Sequence, residues 1–177
     1  MSFTDYSLDI ETMGVGPRAV ICQIGICEFD RHSGLIEEST CIDVDIESCV
    51  EIGGTLSTNT IAWWAKQKQG FSYADKNNVV DIESALHILF DFIWDKEDDD
   101  PKPIWVKGPH FDIAILEFYY DHFKLQNPWK YNKVRDMRTL IDIYNNPSFA
   151  YEITHNALDD ATNQAMAISM MLRGIKA

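Results

Sequence analysis

Tyr6-Ser7-Leu8-Asp9-Ile10-Glu11-Thr12-Met13 (YSLDIETM) places two carboxylates one residue apart at the end of an otherwise apolar run. A strand over residues 3 to 10 alternates its side chains between two faces. Asp9 and Glu11 then point the same way, and their oxygens can converge on one cation. Hard divalent ions such as Mg²⁺ take oxygen ligands. A second reading is open: a strand end with two solvated acids leading into a turn at Met13-Gly14, because D-x-E also recurs by accident. The decision rests on whether further acids recur at suitable places.

With 177 residues, 46% hydrophobic and 12% aromatic, the chain can fill one core and is short for two, so a single domain over 1–177 is expected. No apolar run reaches the roughly 18 residues needed to span a bilayer, and the N-terminus carries acids where a signal peptide has bases. A cytoplasmic protein is expected. Cys22, Cys27, Cys41 and Cys49 form no CxxC pair and have no histidine at zinc spacing, so reduced thiols are expected. A net charge of −13 argues against coating nucleic acid by bulk electrostatics. It leaves room for an enzyme that grips a few nucleotides, since carboxylate-held metal ions supply local positive charge.

After a Gly- and Pro-containing turn at 13–18, residues 19–29 (AVICQIGICEF) read as a second strand, 30–34 as a hairpin turn and 35–46 as a third strand. Residues 47–56 read as a loop. Ser57 or Thr58 caps a helix running to about Lys68, and a polar stretch follows to Asn78. Ile82, Ala85, Leu86, Leu89, Phe92 and Ile93 fall at helical spacing within residues 81–94. The run Asp95 to Asp100 (DKEDDD) reads as a solvated loop, because neighbouring like charges repel. Residues 104–106 form a short buried strand. Gly108-Pro109 then turns the chain into a helix with Ile115, Leu116, Tyr119 and Phe123 on its apolar face. A last strand at 134–136, a helix at 137–144 and a closing helix at 156–172 complete a mixed α/β sheet.

Further acids do recur. Asp112 falls on the helix face that should be buried, where a carboxylate needs a partner or a metal; an N-terminal acid favoured by the helix dipole is the other reading. In HNALDDA, residues 155–161, Asn156 is the expected N-cap and His155 lies on the preceding loop. If Leu158, Ala161, Ala165, Ile168 and Leu172 define the apolar face, Asp159 lies roughly 150° and Asp160 roughly 110° from its centre. Asp159 then reads as cap and solvent, and Asp160 as a flank residue.

Asp9 and Glu11 in DIET, Asp112 in HFD, and His155 with Asp160 in H-x-A-x-x-D-A resemble the motifs of the DEDDh, or DnaQ-like, exonucleases of the RNase H-like superfamily. They run in that family's order and span residues 9 to 161. WVKGPHFDIAIL, NPWKYNKVRDMRTL and the Trp63-Trp64 pair are similar to the small stand-alone bacterial and phage exoribonuclease subgroup that includes RNase AS. Where many relatives have N-x-x-F-D, this chain has Gly108 in place of the asparagine.

The resemblance implies an RNase H-like fold, with an antiparallel meander followed by parallel strands and helices on both faces. It implies a metal-dependent 3′-5′ exonuclease that releases 5′-mononucleotides from single-stranded 3′ ends, RNA more than DNA. Asp9, Glu11 and Asp160 would hold one Mg²⁺ or Mn²⁺, Asp9 would bridge to a second and Asp112 would support that one. His155 would be the general base. Thr12 and Met13 match positions that contact the terminal nucleotide, with Met13 offering an apolar surface. His110 and Phe111 border Asp112, and Trp64 can stack a base; core packing is the other role for Phe111 and for one of the two tryptophans. Lys124, Lys130, Lys133, Arg135 and Arg138 form the only basic concentration of the sequence, with Asp136 as its sole acid, and read as an ordinary charged surface, a dimer contact or a phosphate path. A homodimer is also implied. The alternatives are a 3′-5′ exodeoxyribonuclease, a related endonuclease, or a catalytically silent nucleic-acid-binding protein on the same fold.

Overall fold

The computed structural model describes residues 4–67, 70–94, 101–146 and 150–175. The acidic run at 95–100, expected to be a solvated loop, lies outside the described residues, as does Phe3.

Five strands form one sheet in the order β3-β2-β1-β4-β5. β1 (Asp5–Thr12), β2 (Ile21–Phe29) and β3 (Ile36–Asp43) are the antiparallel meander. β4 (Ile104–Val106) and β5 (Val134–Asp136) run parallel to β1, so these three strands end on the same edge of the sheet. This is the expected RNase H-like arrangement.

The pleat of β1 decides how the layers form. Tyr6, Leu8 and Ile10 enter a core with α3 (Ile82–Ile93) and α4 (Asp112–Phe123). Asp5, Ser7, Asp9 and Glu11 alternate with them and turn to the opposite face. That face is covered by α6 (Ala157–Ile175), and a second core forms from Cys27, Phe29, Trp105, Ala165, Ile168 and Met171, with Met137 and Leu140 of α5 (Met137–Tyr144). Asp81 caps α3 by accepting from Ser84 N, and the helix buries Ile82, Ala85, Leu86, Leu89 and Ile93. Each fully buried leucine there contributes about 1.5–3 kcal/mol. Ser57 caps α2 (Thr58–Trp64), as expected, but the helix stops at Trp64 rather than near Lys68.

Two expectations are corrected. Residues 46–51 are a helix, α1 (Ile46–Glu51), rather than strand end and loop. Asp45 accepts from Glu47 N and ends β3, while Cys49 is buried one turn into the helix. The face of α6 is also rotated from the expected one. Leu158 and Leu172 are only half-buried, whereas Ala157, Asp160, Ala161, Gln164, Ala165, Ile168 and Met171 are buried. Small residues let this helix lie close to β2, so proximity selects the face over bulk hydrophobicity. The four cysteines are free thiols, and Cys22, Cys27 and Cys49 are buried. Among the described residues no helix is long and apolar enough to cross a membrane.

Candidate active site

Asp9 and Glu11 of β1 stand opposite Gly25 and Gln23 of β2. A Cβ at residue 25 would lie 2.1 Å from the carbonyl carbon of Ala157, so glycine is what allows the start of α6 to rest on the sheet here. Gln23, 1% exposed, receives that helix end: its Oε1 accepts from Ala157 N at 2.9 Å and its Nε2 donates to buried Asp43 at 2.7 Å. Docking α6 on β2 brings Asp160 beside the β1 acids.

Asp160 then organises the loop before the helix. Its Oδ1 accepts from Thr154 N at 2.6 Å and Thr154 Oγ1 at 3.0 Å, and its Oδ2 from His155 N at 3.1 Å. Asn156 caps the helix as expected, accepting from the N–H groups of Leu158 and Asp159, and Asp159 is exposed. His155 adopts φ 60°, an uncommon left-handed conformation for a residue with a side chain. Its ring stands edge-on to Trp63, 4.8 Å between centroids, and to Trp64 at 6.1 Å. Ligand atoms of Glu11, His155 and Asp160 all lie within 4.8 Å of one another.

Asp112 opens α4 and is buried at 4% exposure, with Oδ1 accepting from Ile10 N at 3.3 Å. Asp9 Oδ1 accepts from Gln164 Nε2 at 2.7 Å. Burial raises the Asp9 carboxyl well above its usual range, reinforced by the charges of Asp112, Glu11 and Asp160; the Gln164 hydrogen bond opposes this. Glu11 is pushed up to about 8, chiefly by burial, then by Asp160 and Asp112. Asp112 is raised to about 7 by burial, against the pull of its backbone hydrogen bonds and of Arg138. Clustered carboxylates that resist ionising together are what a bound divalent cation relieves, and a set of carboxylate oxygens suits Mg²⁺ or Mn²⁺.

Beside the acids is a cleft of about 380 Å³, walled by Glu11, Thr12, Ser57, Trp63, Trp64 and Phe111. Thr12, Trp64 and Phe111, expected to contact substrate, are thus among the walls of this cleft. Met13 does not offer the expected apolar surface: it is not among the walls of the cleft and packs in the core. His110 is exposed but does not line the cleft. Trp64 is 5% exposed and donates through Nε1 to the Thr12 carbonyl at 3.0 Å, whereas Trp63 is 40% exposed. Of the basic group, Arg135 is turned onto the Asn132 and Val134 carbonyls.

Three positions were not singled out from the sequence. Gln23 was visible only as a polar residue in an apolar strand, and Gly25 only as a glycine two residues on. Gln164 lies one turn beyond Asp160, a spacing that puts it on the same helix face.

This sheet carries acids at the end of β1 and on α4 and α6 and a histidine before α6, and the family match over most of the chain makes it a 3′-5′ exonuclease. The chain belongs to the 3′-5′ exoribonuclease Rv2179c-like domain family, whose profile matches residues 4–172. It is similar to an exodeoxyribonuclease of Enterobacteria phage T4, 28% identical over 162 residues covering 78% of this chain and 70% of the phage protein. Among solved structures, the nuclease domain of 3'hExo, a DEDDh family member bound to rAMP, superposes with a TM-score of 0.61 at 21% identity, covering 97% of this chain and 94% of that one. E. coli exonuclease I with a dT13 oligonucleotide gives 0.63 at 11% identity over 97% of this chain; the chain spans 41% of that protein. These superpositions show the shared fold. Exonucleases of this class use divalent metal ions.

Proposed function

We propose that this protein shortens single-stranded RNA from the 3′ end and releases 5′-mononucleotides, using Mg²⁺ or Mn²⁺. The observation that carries the reading is the meeting of Glu11, His155 and Asp160 within 4.8 Å beside Asp9 and Asp112, next to an aromatic-walled cleft. Asp9, Glu11 and Asp160 would hold one ion, and Asp9 with Asp112 the second. Bound there, the two ions would polarise the phosphodiester and stabilise the attacking and leaving oxygens.

His155 takes the proton of the attacking water. Its side chain is exposed, so solvent reaches it, and the Asp160 hydrogen bonds hold its loop in place. Thr12, Trp64 and Phe111 face the terminal nucleotide in the cleft. Trp63, the more exposed indole, lies between the cleft and His155. The preference for RNA rests on the family's description, and a cytoplasmic setting suits the free thiols. The homodimer implied by the resemblance belongs to the same reading and is checked by light scattering.

The test is digestion of matched 5′-labelled single-stranded RNA and DNA, with duplexes alongside, in Mg²⁺ and then Mn²⁺. Stepwise ladders ending in mononucleotides are expected, faster on RNA. The reading is lost if no ladder forms, or if Asp9→Ala and His155→Ala retain full activity. The likeness to a phage exodeoxyribonuclease supports a second reading, DNA as substrate, and the same pair of substrates decides between them.

A further inference from the structure

The parallel strands β1, β4 and β5 are neighbours and end on one edge of the sheet, so the residues that follow them lie in order along it. Asp9 and Glu11 lie toward the end of β1, Gly108 to Asp112 come after β4, and Arg138 stands in the first turn of α5, directly after β5. The cleft is walled mainly by β1 and α2, so Arg138 stands two strands away from it, beyond Asp112.

Gly108 has φ +113°, and a Cβ there would lie 2.7 Å from Arg138 Nη1 and 3.0 Å from its Cζ. The Arg138 guanidinium thus lies against the glycine, in space that any side chain at 108 would fill. Arg138 is exposed, and among the described residues its side chain has no hydrogen bond or ion pair. Its charge nevertheless reaches Asp112. In a chain of net charge −13, this places a guanidinium with unused donors at the border of an acidic site. A guanidinium offers a planar fork of N–H groups that matches two phosphate oxygens.

We propose that Arg138, seated on Gly108, binds the phosphate of the linkage immediately 5′ to the scissile one. A strand whose last nucleotide occupies the cleft and whose scissile phosphate lies at the acids continues along this edge toward β5. The proposal rests on that reading of the site. It also gives Gly108 a role: glycine in place of asparagine leaves room for an arginine from the first turn of α5.

The test compares kcat/KM on 5′-labelled single-stranded RNA carrying one neutral methylphosphonate, either at the linkage next to the scissile one or several nucleotides away. For the unmodified protein the near substitution is expected to cost about tenfold, as for a lost charged hydrogen bond, and the remote one little. Arg138→Ala should cost about the same on all-phosphate RNA, lose nothing more on the near methylphosphonate, and show a shallower salt dependence by about 0.7 in log–log slope. Arg138→Lys should recover part of the loss. Losses that multiply, equal effects of the two linkages, or no effect of Arg138→Ala would overturn the proposal. If instead Asp9→Ala degrades all-phosphate RNA normally, the underlying reading of the site has failed, and that result is obtained independently of Arg138.

Discussion

At the scale of single residues, the site is built from carboxylates held against their preference. Glu11, raised to about 8, and Asp112, raised to about 7, both titrate above an unfolded range near 4. For these acids the folded state favours the proton. Their contribution to stability is therefore complete below the unfolded value and is lost as pH rises through the folded ones. The metal-free protein should melt at progressively lower temperature from about pH 5 to pH 8, with Mg²⁺ or Mn²⁺ restoring most at the alkaline end. Scanning calorimetry with and without metal measures this; a flat or rising metal-free profile would count against it. Asp9→Asn removes one of the mutually repelling carboxyls from the same cluster. It should abolish cleavage while raising the metal-free melting temperature at pH 8 by roughly 2–4 °C, the shift expected for about 1 kcal/mol in a chain of this size.

At the scale of elements, the docking of α6 on β2 assembles the site. Gly25→Ala would put a methyl 2.1 Å from the Ala157 carbonyl carbon and push away the helix end that carries His155 and Asp160. Overpacking of this kind costs typically 1–3 kcal/mol, and activity should fall further than that loss of stability accounts for; chemical denaturation and kinetics on the same sample separate the two. The pairing of α2 with the His155 loop gives another expectation. Trp63→Ala should lower kcat by about tenfold, because a base that loses its orienting neighbour is misplaced. Trp63→Phe should keep most of it by preserving an aromatic edge. Steady-state kinetics check both, and a change confined to KM would show Trp63 to be only a binding surface. Elements differ in how legible they are. α3, β4, β5 and α5 follow from period and punctuation. α1 does not, because Asp45 sits in a β-branched run and its capping role appears only once Cys49 has a core to enter.

At the scale of the molecule, two cores share one sheet, one against α3 and α4 and the other against α5 and α6. If residues 1–177 form one domain, the two cannot unfold separately, since β2 and β4 belong to both. Near-ultraviolet circular dichroism and tryptophan fluorescence should report a single coincident thermal transition. Two resolved transitions would argue for separate units.

The sequence by itself determined the acids, their order and the strands and helices that carry them. Periodicity and capping are local, so Asp9 and Glu11 on one face, Asp112 on a buried face and His155 before a capped helix are all readable along the chain. What it left open is what covers each face. Met13 as a core residue, Asp160 inside the buried face of α6, Gln164 on Asp9, Gln23 under the helix end and Arg138 on Gly108 all join residues distant in sequence. Those contacts depend on how closely two elements approach, which is decided by the packing of the whole sheet, and a periodicity has no means of recording it.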